Sequence, residues 1–280
     1  MSNKSMKRLP LFIAAAVSVV LLGGCSSVVK NIVSSNKSSA VQDMVLKKPS
    51  PAAENGDKIL FVGNSHTYVN DLPGVFYSMA MAGGHEVEVY DLTEGYYTLK
   101  QFADPEDELG GILKEALEGD SWDFVILQEN SNSALPANSK EEMFPPAREL
   151  DELIRGAGGQ TGFLMTWAPK DGAGPISRES VQDMLAESYI TIADELDALL
   201  IPGGAAFLEA LAENPDLELW DEDGQHPARE GTYLAACLAY GELFQETPVG
   251  NEFIDELEEE TAKAMQAVAE RVLKEHGGLE

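Results

Sequence analysis

The chain contains 280 residues, 44% of them hydrophobic, which is enough for one sizeable core and at most two domains. It carries 48 acidic residues against 19 Lys and Arg, a formal net charge of −29. This balance argues against nucleic-acid binding, which needs basic patches, and against wide contact with anionic lipid headgroups.

The first 25 residues have the pattern of an export signal. Basic residues at positions 4, 7 and 8 precede an apolar run over residues 9–22, which is short for a transmembrane helix. The run ends in Leu22-Gly23-Gly24-Cys25, which resembles a bacterial lipoprotein box. The resemblance implies a signal peptide over residues 1–24, lipid on Cys25, and a cell-envelope protein anchored to a membrane outside the cytoplasm. The alternative is an ordinary secretory signal with a coincidental cysteine.

Residues 25–56 are rich in Ser, Asn and Lys and end in a Pro-containing stretch. They show little hydrophobic periodicity, so we expect a flexible tether between the membrane and a folded domain over residues 57–280. Only two cysteines exist, and lipid on Cys25 leaves Cys237 without an intramolecular partner.

Strand-like and helix-like segments alternate along the predicted domain. Short apolar or alternating segments predict strands over residues 59–62, 86–92, 124–127, 163–165 and 199–201. Helical patterns and caps predict helices over residues 71–83, 104–119, 146–155, 177–196, 227–244 and 252–275. This alternation predicts a three-layer α/β/α fold with a five-stranded parallel sheet. Such sheets bind ligands at the carboxyl ends of their strands.

The first strand ends in Gly63-Asn64-Ser65-His66-Thr67. A serine in a tight turn between a strand and a helix is presented at the edge of the sheet, close to backbone N–H groups that can stabilise an oxyanion. The motif is not the Gly-x-Ser-x-Gly elbow, because position 67 is Thr. A structural helix cap is an equally simple interpretation.

A second motif, Asp223-Gly224-Gln225-His226-Pro227, lies near the C-terminal end of the domain. A nucleophilic serine needs a neutral imidazole to accept its proton, and that imidazole needs a carboxylate to fix its tautomer. Asp223 and His226 could supply both from one short loop. The alternative is a locally hydrogen-bonded histidine at the start of a helix.

In this order and spacing, the two motifs resemble those of the SGNH/GDSL hydrolases. Gly63-Asn64-Ser65 resembles the first block of that family, and the Asp-x-x-His ending at His226 resembles the last. Gly95 corresponds to the glycine after strand two, and Asn130 to the asparagine after strand three. The resemblance spans residues 58–244; it is specific in the first and last blocks and looser in the middle two.

The resemblance implies a flavodoxin-like sheet and a serine hydrolase acting on esters without a cofactor. By that resemblance, Ser65 is the nucleophile, His226 the base and Asp223 the group that orients it. The oxyanion would be held by the N–H groups of Ser65 and Gly95 and by the amide of Asn130. Gln128 is an alternative amide donor, and the choice between Asn130 and Gln128 stays open.

The sequence departs from the family pattern at several positions. Asn64 replaces the usual Asp beside the nucleophile, and Gln128 and Ser131 replace the Gly and Asp of the third block. The Gln-Glu pair at residues 128–129 resembles a variant of carbohydrate-esterase branches, which favours an acetylated sugar as substrate. Tyr96 and Trp167 follow strands two and four and could stack on a sugar ring, although simple packing is the commoner role.

No metal-binding or phosphate-loop motif is present, so no metal site is expected. Two further readings stay open. One is a surface lipoprotein that binds a glycan or a partner without turnover, which the altered third block favours. The other is a lipase or thioesterase with the same three catalytic residues.

Overall fold

The computed structural model describes residues 39–50 and 57–280. The predicted signal peptide over residues 1–24 and the predicted lipidation site Cys25 lie outside the described residues. Within the described ranges, no helix is both long and apolar enough to cross a bilayer.

Five parallel strands form one sheet. They are β1 (Asp57–Gly63), β2 (Val87–Thr93), β3 (Phe124–Leu127), β4 (Gln160–Leu164) and β5 (Leu199–Ile201). Their order is β2-β1-β3-β4-β5, and every neighbouring pair is parallel. The central strand β3 is buried throughout, as its unbroken apolar sequence requires, whereas the edge strand β2 alternates in burial. The predicted five-stranded parallel sheet is therefore confirmed.

Helices cover both faces of the sheet. Those described are α1 (Ser65–Tyr68), α2 (Leu72–Ala82), α3 (Leu99–Ala103), α4 (Glu108–Gly119), α5 (Ser131–Ala134), α6 (Ser139–Glu142), α7 (Phe144–Gly156), α8 (Arg178–Leu196), α9 (Gly203–Glu213), α10 (Arg229–Phe244) and α11 (Glu259–Glu275). One layer contains α4, α7 and α8, which pack in sequence, and the other contains α2, α10 and α11. The three-layer α/β/α prediction is confirmed.

One helix boundary differs markedly from its prediction, and five of the described helices were not predicted: α1, α3, α5, α6 and α9. The segment predicted as a helix from residue 252 becomes helical only at Glu259, because Asp255 and Glu256 have φ angles of 47° and 62°. Helix α9 was not predicted, since it begins with two glycines, which are poor helix formers. A Cβ at Gly203 would lie 2.7 Å from the carbonyl oxygen of Met165, so glycine allows α9 to approach β4 closely.

Residues 39–50, called the strap below, are not a free tether. Met44 and Leu46 are 3% and 4% exposed, and the N–H of Leu46 donates to the carbonyl of His276 at 2.8 Å. The hydroxyl of Ser39 donates to the carboxylate of Asp183 on α8 at 2.6 Å. The tether predicted over residues 25–56 is therefore corrected for the strap, which packs on the domain. Residues 25–38 and 51–56 of that prediction lie outside the described residues.

Candidate active site

The turn after β1 presents Ser65 as the first residue of α1. Asn64 caps this helix, since its Oδ1 accepts from the N–H of His66 at 3.2 Å. Its Nδ2 donates to the carbonyl of Tyr97 at 2.9 Å. An aspartate could make the first of these bonds but not the second, because a carboxylate has no donor. Asn64 therefore ties the nucleophile turn to the loop after β2.

The loop before α10 carries His226 and Asp223. Asp223 Oδ1 accepts from the N–H groups of Gln225 and His226, at 2.8 and 2.9 Å. Its Oδ2 makes a short hydrogen bond with His226 Nδ1. Gly224 adopts a φ of +67°, a conformation that glycine takes without strain and that closes this tight turn. The hydrogen bonds that fix the carboxylate next to the imidazole therefore all lie within this loop.

Ser65, His226 and Asp223 form one hydrogen-bonded chain. His226 Nε2 lies 2.8 Å from Ser65 Oγ, and the ring contacts Asp223 through its other nitrogen. The structure thus brings together the three residues that the sequence placed 158 to 161 positions apart in two motifs. This is the geometry in which a serine is activated by an imidazole.

The electrostatics of the site keep Asp223 ionised and His66 neutral. Partial burial of Asp223 opposes its ionisation, but hydrogen bonds from Gln225 and His226 outweigh this and lower its pKa to about 2. Burial of His66, with a smaller contribution from the neighbouring charge of His226, lowers the pKa of His66 to about 4. The ring of His66 packs 5.7 Å from that of His226 and 5.4 Å from that of Trp167, so it forms a neutral wall behind the base.

The four predicted oxyanion donors differ in availability. The N–H of Ser65 and the Nδ2 of Asn130 make no hydrogen bond with other described residues. Asn130 is nevertheless fixed, since its N–H donates to Glu129 at 2.6 Å and its Oδ1 accepts from the N–H of Asn132 at 3.0 Å. Both groups are therefore ordered and free to donate.

Gln128 and Gly95 are not available in the same way. Gln128 is 1% exposed; its Oε1 accepts from the N–H of Asn64 and the hydroxyl of Thr67, and its Nε2 donates to the carbonyl of Glu129. The prediction of Gln128 as an oxyanion donor is corrected, because the side chain is a buried support of the nucleophile turn. The N–H of Gly95 donates to the carboxylate of Glu94 at 2.7 Å, so it can serve an oxyanion only after that side chain turns away.

Solved structures resemble this fold. No protein-family model matches the sequence, and no curated protein matches it significantly. A protein from Slackia heliotrinireducens assigned to the SGNH hydrolases superposes with a TM-score of 0.57 and 29% identity, over 66% of this chain and 98% of that one. A DUF4886 family protein from Bacteroides uniformis superposes with a TM-score of 0.64 and 18% identity, over 78% of this chain and 95% of that one.

The first of these similarities, together with the sheet order, identifies the superfamily. The chain belongs to the SGNH/GDSL-like superfamily. The superfamily prediction is confirmed, and the protein is a hydrolase.

The hydrolase has a cavity of about 290 Å³ at the carboxyl edge of its sheet, with Ser65 and His226 in its wall. Polar side chains reach it from the loop after β3 and from the histidine loop: Asn130, Ser131, Asn132 and Gln225. Apolar side chains reach it from the loops after β3 and β4 and from α8: Leu135, Trp167, Pro169, Val181 and Leu185. The site therefore offers both hydrogen-bonding groups and a dry wall to a small ester.

The two aromatic residues predicted to bind substrate occupy opposite environments in the hydrolase. Tyr96 is 89% exposed at the cavity and has a φ of 65°, an uncommon conformation for a bulky residue. Trp167 is 1% exposed, and its ring stacks on Phe207 with centroids 4.4 Å apart. The stacking role predicted for Trp167 is corrected: its Nε1 donates to the carbonyl of Gln225 at 3.0 Å, so it supports the histidine loop.

Sequence reasoning missed the role of Glu129 in this hydrolase. The residue is fully buried directly after Gln128, and its carboxyl group accepts from the N–H groups of Asn130 and Leu99. A charged residue that continues an apolar strand was the available signal, because such residues are rarely buried without hydrogen-bond partners. Among the described residues, no cluster of His, Cys, Asp or Glu has the arrangement of a metal site.

Proposed function

We propose that the protein is a serine esterase that removes O-acetyl groups from carbohydrate outside the cytoplasm, with Ser65 as nucleophile, His226 as base and Asp223 as its orienting carboxylate. The observation that carries the proposal is the hydrogen bond of 2.8 Å between His226 Nε2 and Ser65 Oγ. It joins the first strand to the last loop of the site, and Asp223 contacts the far side of the same ring.

This arrangement supports a two-step acyl transfer. Ser65 Oγ attacks the ester carbonyl while His226 Nε2 accepts its proton, and the protonated ring then gives that proton to the leaving alcohol. Water, deprotonated by the same nitrogen, hydrolyses the acyl-enzyme and restores the serine. Throughout, ionised Asp223 stabilises the imidazolium.

The N–H of Ser65 and the Nδ2 of Asn130 are the donors best suited to the oxyanion. Both are ordered by their neighbours and lack other partners among the described residues. Losing one such donor lowers the rate by about 10²–10³-fold in comparable sites. Asn130→Ala therefore tests the assignment through kcat.

Carbohydrate as the alcohol is supported by the mouth of the cavity. Tyr96 presents an exposed ring there, and exposed aromatic rings with a hydroxyl offer a flat surface and a hydrogen bond to a sugar. The side chains of Asn132 and Gln225 add amide groups at the same cavity. The small volume of about 290 Å³ suits a short acyl group rather than a long chain.

Location outside the cytoplasm is supported by the N-terminal sequence alone. The apolar run and the cysteine at position 25 have the order of a lipoprotein signal. We expect wild-type protein expressed in bacteria to incorporate labelled palmitate and to partition with membranes. A Cys25→Ser variant that still incorporates the label would contradict lipidation at this residue.

The catalytic proposal is tested with Ser65→Ala and a matched serine control, Ser78→Ala, on α2 away from the site. With p-nitrophenyl acetate, we expect Ser65→Ala to lose about 10³-fold or more in kcat/KM and Ser78→Ala to stay near wild type. A fluorophosphonate probe should label wild type and Ser78→Ala but not Ser65→Ala. Activity of Ser65→Ala at the wild-type rate would refute the proposal.

The substrate class is tested with the same variants on acetylated xylan, acetylated peptidoglycan and acetylated sialic acid. Acetate release that requires Ser65 from at least one of these supports carbohydrate deacetylation. Cleavage of p-nitrophenyl acetate without acetate release from any of them would keep the esterase and overturn the carbohydrate assignment.

A further inference from the structure

Glu129 is a buried acid directly before Asn130, beneath the wall of the site, and the mechanism above gives it no role. Its side chain is 0% exposed at the end of β3, between Gln128 and Asn130. Burial raises its pKa to about 8, although hydrogen bonds from Asn130 and Leu99 partly offset this, and the carboxylate of Glu142 adds to the rise. Burying an acid is unfavourable, so its contacts require an explanation.

The carboxyl group joins two loops of the site. Its Oε1 accepts from the N–H of Asn130 at 2.6 Å, and both oxygens lie 3.3 Å from the N–H of Leu99. Leu99 begins α3, directly after the loop that carries Tyr96. One side chain therefore links the loop after β2 to the loop after β3.

The preceding residue makes the equivalent link to the loop after β1. Gln128 Oε1 accepts from the N–H of Asn64 at 2.8 Å, next to the nucleophile. Consecutive side chains at the end of the central strand thus connect three loops, which carry Ser65, Tyr96 and Asn130. The position of the Asn130 amide relative to Ser65 depends on these connections.

We propose that Glu129 is a positioning residue, whose carboxyl group holds the backbone of Asn130 and the start of α3 so that the Asn130 amide faces the oxyanion. The inference rests on the esterase function proposed above. Glu129 does not touch the substrate; it acts through Asn130. A dedicated acceptor is needed because a misplaced donor loses most of its effect on the transition state.

The test is a double-mutant cycle of Glu129→Ala and Asn130→Ala, measured with p-nitrophenyl acetate. We expect Glu129→Ala to lower kcat by about 10–100-fold with KM changed by less than about threefold. In the Asn130→Ala background, the same substitution should change kcat by less than about threefold, since the group through which it acts is already absent. Glu129→Gln keeps an acceptor oxygen and should recover kcat to within about threefold of wild type.

Glu242→Ala is the matched control for burial. Glu242 is also 0% exposed with a pKa raised by burial to about 8, but it lies near the C-terminal end of α10, and its carboxyl group makes no hydrogen bond with any described residue. We expect its kcat within about twofold of wild type, which separates positioning from general destabilisation. Should Glu129→Ala fail to fold, Glu129→Met and Glu129→Gln supply the same comparison.

Two results would overturn the inference. One is a wild-type kcat for Glu129→Ala. The other is a double variant whose fold-loss in kcat equals the product of the fold-losses of Glu129→Ala and Asn130→Ala. Fluorophosphonate labelling of every variant keeps this distinct from failure of the proposed function. If wild type labels at Ser65 and Glu129→Ala is fully active, only the role of Glu129 is wrong.

Discussion

The ring of His226 meets the hydroxyl of Ser65 across 161 positions of sequence, with 2.8 Å between Nε2 and Oγ. The position of each of these two side chains depends on contacts from outside the helix or loop that carries it. Ser65 depends on the turn held by Gln128, and His226 depends on a loop held by Asp223 and by the indole of Trp167. The contacts that support each partner therefore govern the rate of the reaction as much as the partners themselves.

Asp223→Asn should lower kcat/KM by about 10²-fold or more. The amide would donate to His226 Nδ1, which leaves the proton on Nε2 and removes the acceptor for Ser65. Because the pKa of Asp223 is lowered to about 2, ionised Asp223 favours folding above pH 4, and this contribution is lost only as the pH falls from about 4 to about 2. Wild-type activity between pH 5 and pH 9 should therefore show no step due to Asp223.

Asp221→Asn is the control, since Asp221 lies in the same loop and its carboxylate accepts a hydrogen bond, among the described residues, only from the N–H of Glu222. We expect wild-type kcat/KM for it. Equal losses in the two variants would show that the loop responds to any change of charge, and that Asp223 has no specific part in orienting His226.

Trp167→Phe should lower kcat about 3–10-fold and leave KM for an acetylated glycan unchanged. The stack on Phe207 is preserved, but the hydrogen bond of 3.0 Å from Nε1 to the carbonyl of Gln225 is lost, next to His226. Tyr96→Ala should show the opposite pattern, with KM for the glycan raised about 2–10-fold and kcat on p-nitrophenyl acetate unchanged. Steady-state kinetics on the two substrates separate these roles, and a raised glycan KM in Trp167→Phe would argue for direct contact.

Gln128→Leu should lower the free energy of unfolding by about 2–4 kcal/mol. It leaves the N–H of Asn64 and the hydroxyl of Thr67 buried without an acceptor, and the nucleophile turn loosens. Thr67→Val removes one of the two donors, and we expect a smaller loss of about 1 kcal/mol. Urea denaturation measures both; a Gln128→Leu protein of wild-type stability with a strongly reduced kcat would instead favour Gln128 as an oxyanion donor.

The sheet was predictable because its strands are short apolar or alternating segments separated by helical patterns. Residues 124–127 and 199–201 are strands within the predicted limits. The two site motifs were also visible, since each places its chemistry on a short local scaffold, as Asp223 and His226 do. Because the carboxyl ends of parallel strands lie at one edge of the sheet, the topology predicted that the two motifs lie close together.

The role of Trp167 could not be read from sequence. The strand pattern predicted the edge of the sheet at which Trp167 lies, but it did not predict which way the side chain points. The ring on which it stacks, Phe207, belongs to the unpredicted helix α9. The choice between Gln128 and Asn130 was open for the same reason. That choice depends on the positions of the Asn64 N–H and the Thr67 hydroxyl relative to Gln128. The spacing of residues along the sequence does not determine those positions.

Leu46→Ala should lower the free energy of unfolding by about 2–4 kcal/mol. Leu46 is 4% exposed although it lies in the strap, a segment with little hydrophobic periodicity. Val45→Ala is the matched control, since Val45 is 73% exposed and should change stability by less than about 0.5 kcal/mol. Thermal unfolding distinguishes the two. Equal, small effects would mean that the strap does not contribute to the folded state.

Glu242→Gln should remove part of the pH dependence of stability. Both carboxyl oxygens of Glu242 are buried without a hydrogen-bond partner among the described residues, and burial raises its pKa from 4.5 to about 8. The folded state therefore holds a proton that the unfolded state releases above pH 4.5. Wild-type stability should fall, through this group, as the pH rises from about 4.5 to about 8, and the loss should level off above pH 8.

The glutamine variant has no proton to lose. Its free energy of unfolding relative to wild type should therefore rise between pH 4.5 and pH 8, by about 1.4 kcal/mol per pH unit and by several kcal/mol at most. Urea denaturation at pH 5 and pH 8 measures the difference directly. Only the difference between the two proteins is informative, because Glu129 has a similarly raised pKa and contributes equally to both. If the two stability curves run parallel from pH 5 to pH 8, Glu242 does not stay protonated in the folded protein.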